Sequence, residues 1–439
     1  MRIATFVPDQ SVAYLQRFTP YNFIDMSKFT HLHVHTQYSI LDGASNIKRL
    51  VDKARALGMN ALAVTDHGNM FGIKEFVNTV AKVNDAALSE IKKIKGEIDK
   101  INKAESPESD AESRLAELNQ QKAEQESKLF KPIIGCEAYV SKRSRFDKND
   151  RDDRGGFHLI LLAKNLEGYH NLTKLVSYSW TEGFYQKPRM DKELLRKYNK
   201  GIIACSACLG GEIPQAIMFD GMERAEELVH EYKEIYGDDF YLEVMLHQSG
   251  VYKIDTEVYE NQLKVNKSIL ELAQKTGTKC VATNDVHFIN AEDALAHDRL
   301  ICLNTGKDID DPDRMRYTFQ EYLKSEDEMR ALFPECPEAI TNTAEVVSKV
   351  EVYSLSNNPI MPHFPLPEGF TDDNDYLRHL TYEGAYKRWG TDLPEATRER
   401  VDFELGVIAK MGYPSYFLIV WDFIKAAREM GVAGITHFG

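Results

Sequence analysis

Seven short apolar runs, most of them separated by amphipathic stretches, constrain the fold of this 439-residue chain more than any other feature. They read HLHVH (31–35), ALAVTDHG (61–68), PIIGCEAYV (132–140), FHLILLAKN (157–165), GIIACSACLGG (201–211), FYLEVML (240–246) and KCVATNDVHF (279–288). Between them, stretches such as 46–57 and 222–235 carry apolar residues at helical spacing. Strand-helix units repeated in series predict an α/β fold, a parallel (β/α)7 barrel.

One segment does not fit a barrel. Residues 82–128 are rich in Lys, Glu, Gln and Ala and hold no aromatic residue. Ile91, Ile94, Ile98 and Ile101, then Leu115 and Leu118, follow three-four spacing on either side of Ser106-Pro107-Glu108. That pattern predicts a helical hairpin inserted between the second helix and the third strand. Its charge suits a solvated spacer or an arm that meets a partner. Residues 1–25 show no clear amphipathic period, and the recognisable pattern starts at Met26, so they read as an N-terminal extension.

An apolar content of 43% is enough for a sizeable core. No run reaches the roughly 18 apolar residues of a membrane span, and the N-terminus lacks the layout of a signal peptide. The expectation is a cytoplasmic protein with no membrane partner. Six cysteines scattered along the chain argue against a disulfide framework. Cys205 and Cys208 form a C-x-x-C, but no second pair exists to complete a four-thiolate zinc site. The net charge of -14 excludes a globally basic nucleic-acid binder. A local basic groove stays open, because bound metal ions neutralise clustered carboxylates.

In a strand, alternate side chains share a face, so His33 and His35 of THLHVHTQYS (30–39) point the same way. Two imidazoles aimed at one place read as metal ligands or as partners of backbone groups. His31 shares their parity, but its place at the strand entrance suits a structural role. Other donors sit at or just past the ends of the runs, where parallel barrels carry their chemistry. They are Asp42 in YSILDG, His67 in VTDHGN, Glu137 in GCEAY, His158 opening HLILL, Cys208 in SACLGG, and Asp285 and His287 in NDVHF. With His33 and His35 that makes nine candidates, too many for one tetrahedral ion. They suit two or three divalent ions, with Glu137 able to bridge. Mixed imidazole and carboxylate donors favour Zn2+ or Mn2+, and the thiolate tilts the choice toward zinc. Asp66 is placed to orient a histidine from behind. His170, His230, His247, His297, His363, His379 and His437 are expected to be structural or surface residues without partners.

The HxH, the TDHG, the later Glu, His and Cys, and the D-x-H ending resemble the polymerase and histidinol phosphatase (PHP) family. The resemblance implies a distorted seven-stranded metal barrel that hydrolyses phosphoesters, with all nine usual ligand positions filled here. Asp42 and Cys208 stand where some members have histidine. FTHLHVHTQYSILDGA, TEGFYQKPRMD (181–191) and GYPSYFLIVWDFIKAAREMGV (412–432) are similar to the N-terminal part of the alpha subunits of bacterial replicative DNA polymerase III, the C-family. That likeness runs from about Met26 to Val432 apart from the charged insertion. It implies a PHP barrel over 26–300, interrupted by the hairpin at 82–128, and the mainly helical start of the polymerase palm region over 301–439. It also implies primer-template DNA and the other subunits of the holoenzyme as partners. The family follows its last helix with a glycine-rich loop and an Asp-x-Asp pair for catalytic Mg2+. This chain ends in AGITHFG, so it is expected not to polymerise DNA itself, although its parent protein would.

The activity expected from the likeness is metal-dependent 3′-5′ exonucleolytic proofreading, with His33, His35, Glu137, Asp285 and Asp66 as the catalytic set. Phosphate contacts are expected from Lys187 and Arg189 in YQKPRMD, with Tyr185 for stacking, and from Lys142, Arg143 and Arg145 in the loop 141–156. The bland reading of that loop is a solvated one, since it also carries Asp147, Asp150, Asp152 and Asp153. The rival functions are a small-phosphomonoester phosphatase and a silent barrel that supports a polymerase and a proofreading partner.

Overall fold

The computed structural model describes residues 28–103, 110–149, 151–356 and 360–432. The expectations for 1–25, Met26, Ser106-Pro107-Glu108, Asp150 and the AGITHFG tail with His437 lie outside those residues.

Among the described residues, strands β1 (Ala61–Val64), β2 (Lys131–Val140), β3 (Phe157–Ala163), β4 (Arg189–Met190), β5 (Ile202–Cys205), β6 (Phe240–Val244) and β7 (Cys280–Ala282) share one sheet. Its path runs β1-β2-β3-β5-β6-β7, and β4 pairs with the end of β2 beside that path. The first apolar run is extended but makes only an isolated bridge, Val34 with Val286. Its backbone nonetheless joins the two edges of the sheet. On one side Ala63 N donates to His31 O and Thr65 N to Val34 O; on the other His35 N donates to Val286 O at 2.7 Å. Counted with this segment, seven chain segments line the ring, and the distortion lies where the segment replaces a regular strand.

The sheet is mixed, which corrects the expectation of a parallel barrel. β3 runs antiparallel to both β2 and β5. Among its described residues the loop between β2 and β3 carries only the 3-10 turn Arg151–Arg154, and without a crossover helix there the chain returns antiparallel.

Side chains alternate between two cores, as the period of a strand requires. Ala61, Ala63, Ile160, Leu162, Ile203, Tyr241 and Val281 face an inner cluster. Leu62, Val64, Leu159, Leu161, Ile202, Leu242 and Cys280 face the outer layer of helices. Val346, Val347 and Val350 join the inner cluster. The helix Pro337–Lys349, to which the first two belong, is fastened there by Lys131, whose Nζ donates to Val347 O at 3.0 Å and to Val350 O at 2.9 Å.

That fastening moves the expected domain boundary. The chain divides into compact units after Leu355, not after residue 300. Residues 301–355 belong to the first unit because they complete it: His287 N donates to Glu321 O at 2.7 Å, Phe288 bridges to Tyr322, and Met329 and Phe333 are buried. The hairpin also departs in detail. Its first arm is the continuation of the barrel helix Ile73–Asn102, with no break near Lys82, and its second is Ala111–Glu126. Asn84 exchanges two hydrogen bonds with the backbone of Phe130, tying the arm to the start of β2.

The second unit, Ser356 onward, contains the helices Asp373–Trp389, Glu395–Met411 and Pro414–Glu429. Asp372 caps the first of them, and Asp402 on the second accepts from Arg378 and Tyr382. No helix among the described residues is long and apolar enough to cross a membrane.

Candidate metal centre

All nine donors named from the sequence meet at one rim of the ring. Glu137, wholly buried on β2, lies at the centre. One of its carboxylate oxygens, Oε1, sits 3.4 Å from His33 Nε2 and 2.7 Å from His158 Nδ1. The other, Oε2, faces His35 Nε2 at 3.8 Å and contacts His67 Nδ1. Asp285 Oδ1 lies 3.1 Å from His33 Nε2 and 3.2 Å from His35 Nε2. Cys208 Sγ is 3.6 Å from His158 Nδ1, and Asp42 Oδ1 is 3.3 Å from His67 Nε2. The His35 ring stacks on those of His67 and His287. The donors thus fall into three groups: His35, His67 and His287; His33, His35 and Asp285; Glu137, His158 and Cys208.

Local sequence explains the placement. Asp42 reaches the centre from a tight turn in which Gly43 N donates to Ser39 O; a Cβ on Gly43 would lie 1.9 Å from Thr36 O, so only glycine closes that turn. Asp285 sits at φ 45°, a left-handed conformation that a short Asp tolerates and that costs energy the surrounding site must offset. β3 presents His158 at the rim because the strand is reversed, so the residue that opens it stands where the other strands close.

Several supporting residues escaped the sequence reading. Glu243 on β6 is buried and faces His33 Nδ1 at 3.3 Å while accepting from Ala207 N and Thr283 Oγ1. This sets His33 with Nε2 toward the cluster. Its only signal was a lone Glu inside the apolar run FYLEVML. Ser39 Oγ lies 2.9 Å from His35 Nδ1 and donates to Asp66 Oδ1. Asp66 also takes Thr36 N and Oγ1, so it holds His35 through Ser39 and does not itself touch the cluster, which corrects its place in the catalytic set. Tyr317 donates to Asp42 Oδ2 at 3.0 Å. His297 and His247, expected to lack partners, have them: His297 Nε2 meets Asp42 O, and His247 Nε2 meets Asn284 Oδ1. His31 turns away, to Lys324 O.

Burial without solvent sharpens the electrostatics. Burial pushes His33 down, but Asp285, Glu137 and Glu243 more than reverse it and hold the imidazole well above its usual value. His158 is raised in the same way by Glu137 and Cys208, and His67, by Glu137 and Asp42, to about 10. Burial would raise Glu137, yet His158 and His67 draw it well below the carboxylate range. His35, desolvated and flanked by His67 and His287, is lowered to about 3.

The donor set fits a metal. His33 Nε2, His35 Nε2, both ring nitrogens of His67, both oxygens of Glu137, Asp42 Oδ1 and Asp285 Oδ1 are buried with no properly formed hydrogen bond. Buried polar atoms rarely go unpartnered, and eight converging on one place fit cations. Stripping metal with a chelator is therefore expected to lower the melting temperature by several degrees, with recovery on adding Zn2+ or Mn2+. A ligand present at a thousand times its Kd contributes about 4 kcal/mol. A melting curve unmoved by chelation would show that these side chains satisfy one another.

The centre opens into a cavity of about 380 Å³ walled by Leu209, Met245 and Val258, with Lys187 and Arg316 at its edge. The expected DNA contacts divide. Lys187 lines the cavity. Arg189 is buried and spends its guanidinium on four backbone carbonyls, and Arg145 is buried against Glu182 and Asp191; neither is free to hold a phosphate. Arg143 pairs with Asp153 at 2.7 Å, Lys142 lies 6.0 Å from the Phe157 ring, and Tyr185 packs under Arg189. Arg316, missed in sequence, has no acidic partner among the described residues.

Residues 31–247 match the PHP domain, and residues 375–435 match the profile described as the bacterial DNA polymerase III alpha NTPase domain. Among curated proteins, the DNA polymerase III subunit alpha of Borreliella burgdorferi is 38% identical over 407 residues, covering 92% of this chain and 30% of the relative. That of Treponema pallidum is 38% identical over 404 residues, covering 91% and 30%, and that of Thermus aquaticus 35% over 470 residues, covering 92% and 34%. The chain spans about a third of the length of these relatives. A solved structure from Bifidobacterium adolescentis, described as a candidate metal-dependent phosphoesterase, matches with a TM-score of 0.31 and 11% identity over 60% of this chain and 88% of its own.

Proposed function

The chain carries a PHP domain and belongs with the alpha subunits of bacterial DNA polymerase III, and from that premise we propose that its metal centre hydrolyses phosphodiester bonds as a 3′-5′ proofreading exonuclease. The observation that carries this reading is the convergence of buried, unpartnered donor atoms on an open cavity edged by two cations. The same reading makes the chain part of a replicative polymerase working in the cytoplasm, with primer-template DNA and the other holoenzyme subunits as partners.

Two or three divalent ions, Zn2+ or Mn2+, fit the nine side chains His33, His35, Asp42, His67, Glu137, His158, Cys208, Asp285 and His287. When bound, such ions supply positive charge at a phosphate and acidify a water to near neutrality. The chain's own residues do the rest. Glu137 offers one oxygen to each side of the cluster, and Glu243 and Ser39 hold His33 and His35 with their Nε2 atoms inward. Tyr317 keeps its proton, since burial and the Asp42 charge raise it well above the usual phenol value, and so fixes Asp42 by donating to it. Lys187 and Arg316 offset the charge of an incoming phosphate at the cavity edge.

Metal analysis combined with a gel assay on a primer bearing a 3′ mismatch tests this. The wild-type chain is expected to carry metal and release the terminal nucleotide, and His33→Ala to lose release by more than about a hundredfold, the upper end of the loss for a residue that only supports a ligand. Cleavage confined to small phosphomonoesters would make the protein a phosphatase, and a metal-free, inert chain would make it a structural barrel.

A further inference from the structure

Beside the metal centre lies a second, smaller cavity of about 170 Å³ that hydrolysis itself does not require. The two are adjacent, and His67, Tyr139 and Lys187 line both. Phe71, Trp180, Phe184, Ile40 and Leu41 give the second an aromatic and aliphatic side, and Ser39, Asn69 and Gln186 add polar groups to its lining. Phe71 is 62% exposed, Phe184 45% and Trp180 43%. The Trp180 and Phe184 rings stack at 5.4 Å between centroids with 13° between their planes. Trp180 is anchored to the centre's own turn, its Nε1 donating to Gly68 O at 2.8 Å. These rings are therefore held in place, exposed, and within reach of the cluster.

We infer that this shelf receives the unpaired base of the 3′-terminal nucleotide of a DNA strand, stacked on the free face of the Trp180–Phe184 pair with Phe71 beside it. Three observations select that occupant. The cavity exceeds the roughly 150 Å³ that holds one benzene ring, and its Phe71, Phe184 and Trp180 rings are exposed, so a pyrimidine fits and the second ring of a purine extends over exposed aromatic surface. Lys187 stands between shelf and centre, 5.1 Å from the centre of the Tyr139 ring, with no acidic partner among the described residues. A nucleotide with its base on the shelf would bring its phosphate to that ammonium and then to the metal cluster. Stacking is also indifferent to base identity, as an enzyme acting on any terminus requires, and it is closed to a base already stacked in a duplex. The shelf would thus select frayed or mismatched ends. Tyr185, the stacking residue expected from sequence, lines neither cavity. The strand polarity in this inference rests on the exonuclease reading.

The test uses the full chain with Trp389→Phe and Trp421→Phe, which leaves Trp180 as its only tryptophan. It is titrated with a single-stranded oligothymidylate whose terminal linkage is a phosphorothioate, and with the same strand ending in an abasic residue. Saturable quenching of Trp180 is expected, with binding at least about fivefold weaker once the terminal base is absent. Phe184→Ala and Phe71→Ala, both at exposed positions, should each weaken binding of the intact strand and narrow that difference. Absent quenching, equal binding of the two strands, or a difference untouched by both variants would overturn the inference and leave the shelf to a protein partner. Quenching that depends on the terminal base, in a chain that fails the primer assay, would instead refute the exonuclease reading and keep the shelf as a binding site.

Discussion

Glu137→Gln is expected to lower metal content and to cut release of a mismatched 3′ nucleotide by roughly a thousandfold. The substitution keeps the size of the side chain and one carbonyl oxygen, so the effect reads charge alone. Glu137 faces His33 and His158 with one oxygen and His35 and His67 with the other. An amide can offer an oxygen to one of those pairs and must turn its NH2 toward the second, where it repels a cation. Breaking a buried charge contact by changing one partner costs about 3–5 kcal/mol, and each 1.4 kcal/mol is a factor of ten. Metal analysis and the primer assay read the result. A variant that keeps full metal content and full activity would remove Glu137 from the centre.

The donors were legible because a metal centre demands particular side chains, and because the topology places strand ends together. His33, Glu137, Cys208 and Asp285 each stood at or near the end of an apolar run. Even the reversal of β3 left a trace, since His158 opens its run where the other donors close theirs. The parallel expectation failed there because a count of apolar runs carries no direction; direction is set by what joins two strands, and the described residues of the loop 141–156 hold no crossover helix. The boundary at residue 300 failed for a related reason. Nothing in Lys324 or the 337–349 helix announces that they pack back on His31 and Lys131, because long-range contacts have no local period. Glu243 and Ser39 were hidden because a residue that positions a ligand needs only one well-placed oxygen and no motif.

Charge was the least legible property. Arg189 and Lys187 sit two residues apart in one basic stretch, yet they do opposite things. Lys187 faces the cavity, whereas Arg189 is 1% exposed and donates to Gly183 O, Asp153 O, Arg145 O and Asp147 O. What separates them is the planar guanidinium, which can satisfy several carbonyls from two loops at once.

Arg189→Met should therefore unfold the first unit more easily, by about 3–5 kcal/mol in urea melts, with a smaller and secondary effect on DNA binding. The apolar chain fills much of the space but orphans four carbonyls, each costing about 1–3 kcal/mol if water does not reach it. The loops cannot simply close over the gap: a Cβ at Gly183 would already fall 1.8 Å from Arg189 O, so the backbones there are at their limit of approach. Because Phe184 and Lys187 ride on the stretch that Arg189 ties down, Arg189→Lys is the more telling variant. A single ammonium reaches fewer of the four carbonyls, so the stretch should loosen before the barrel fails, and oligonucleotide binding should weaken at temperatures where the chain is still folded. If Arg189→Met instead melted like wild type and lost binding outright, the arginine would be a phosphate ligand after all, and its burial would have to open when DNA arrives.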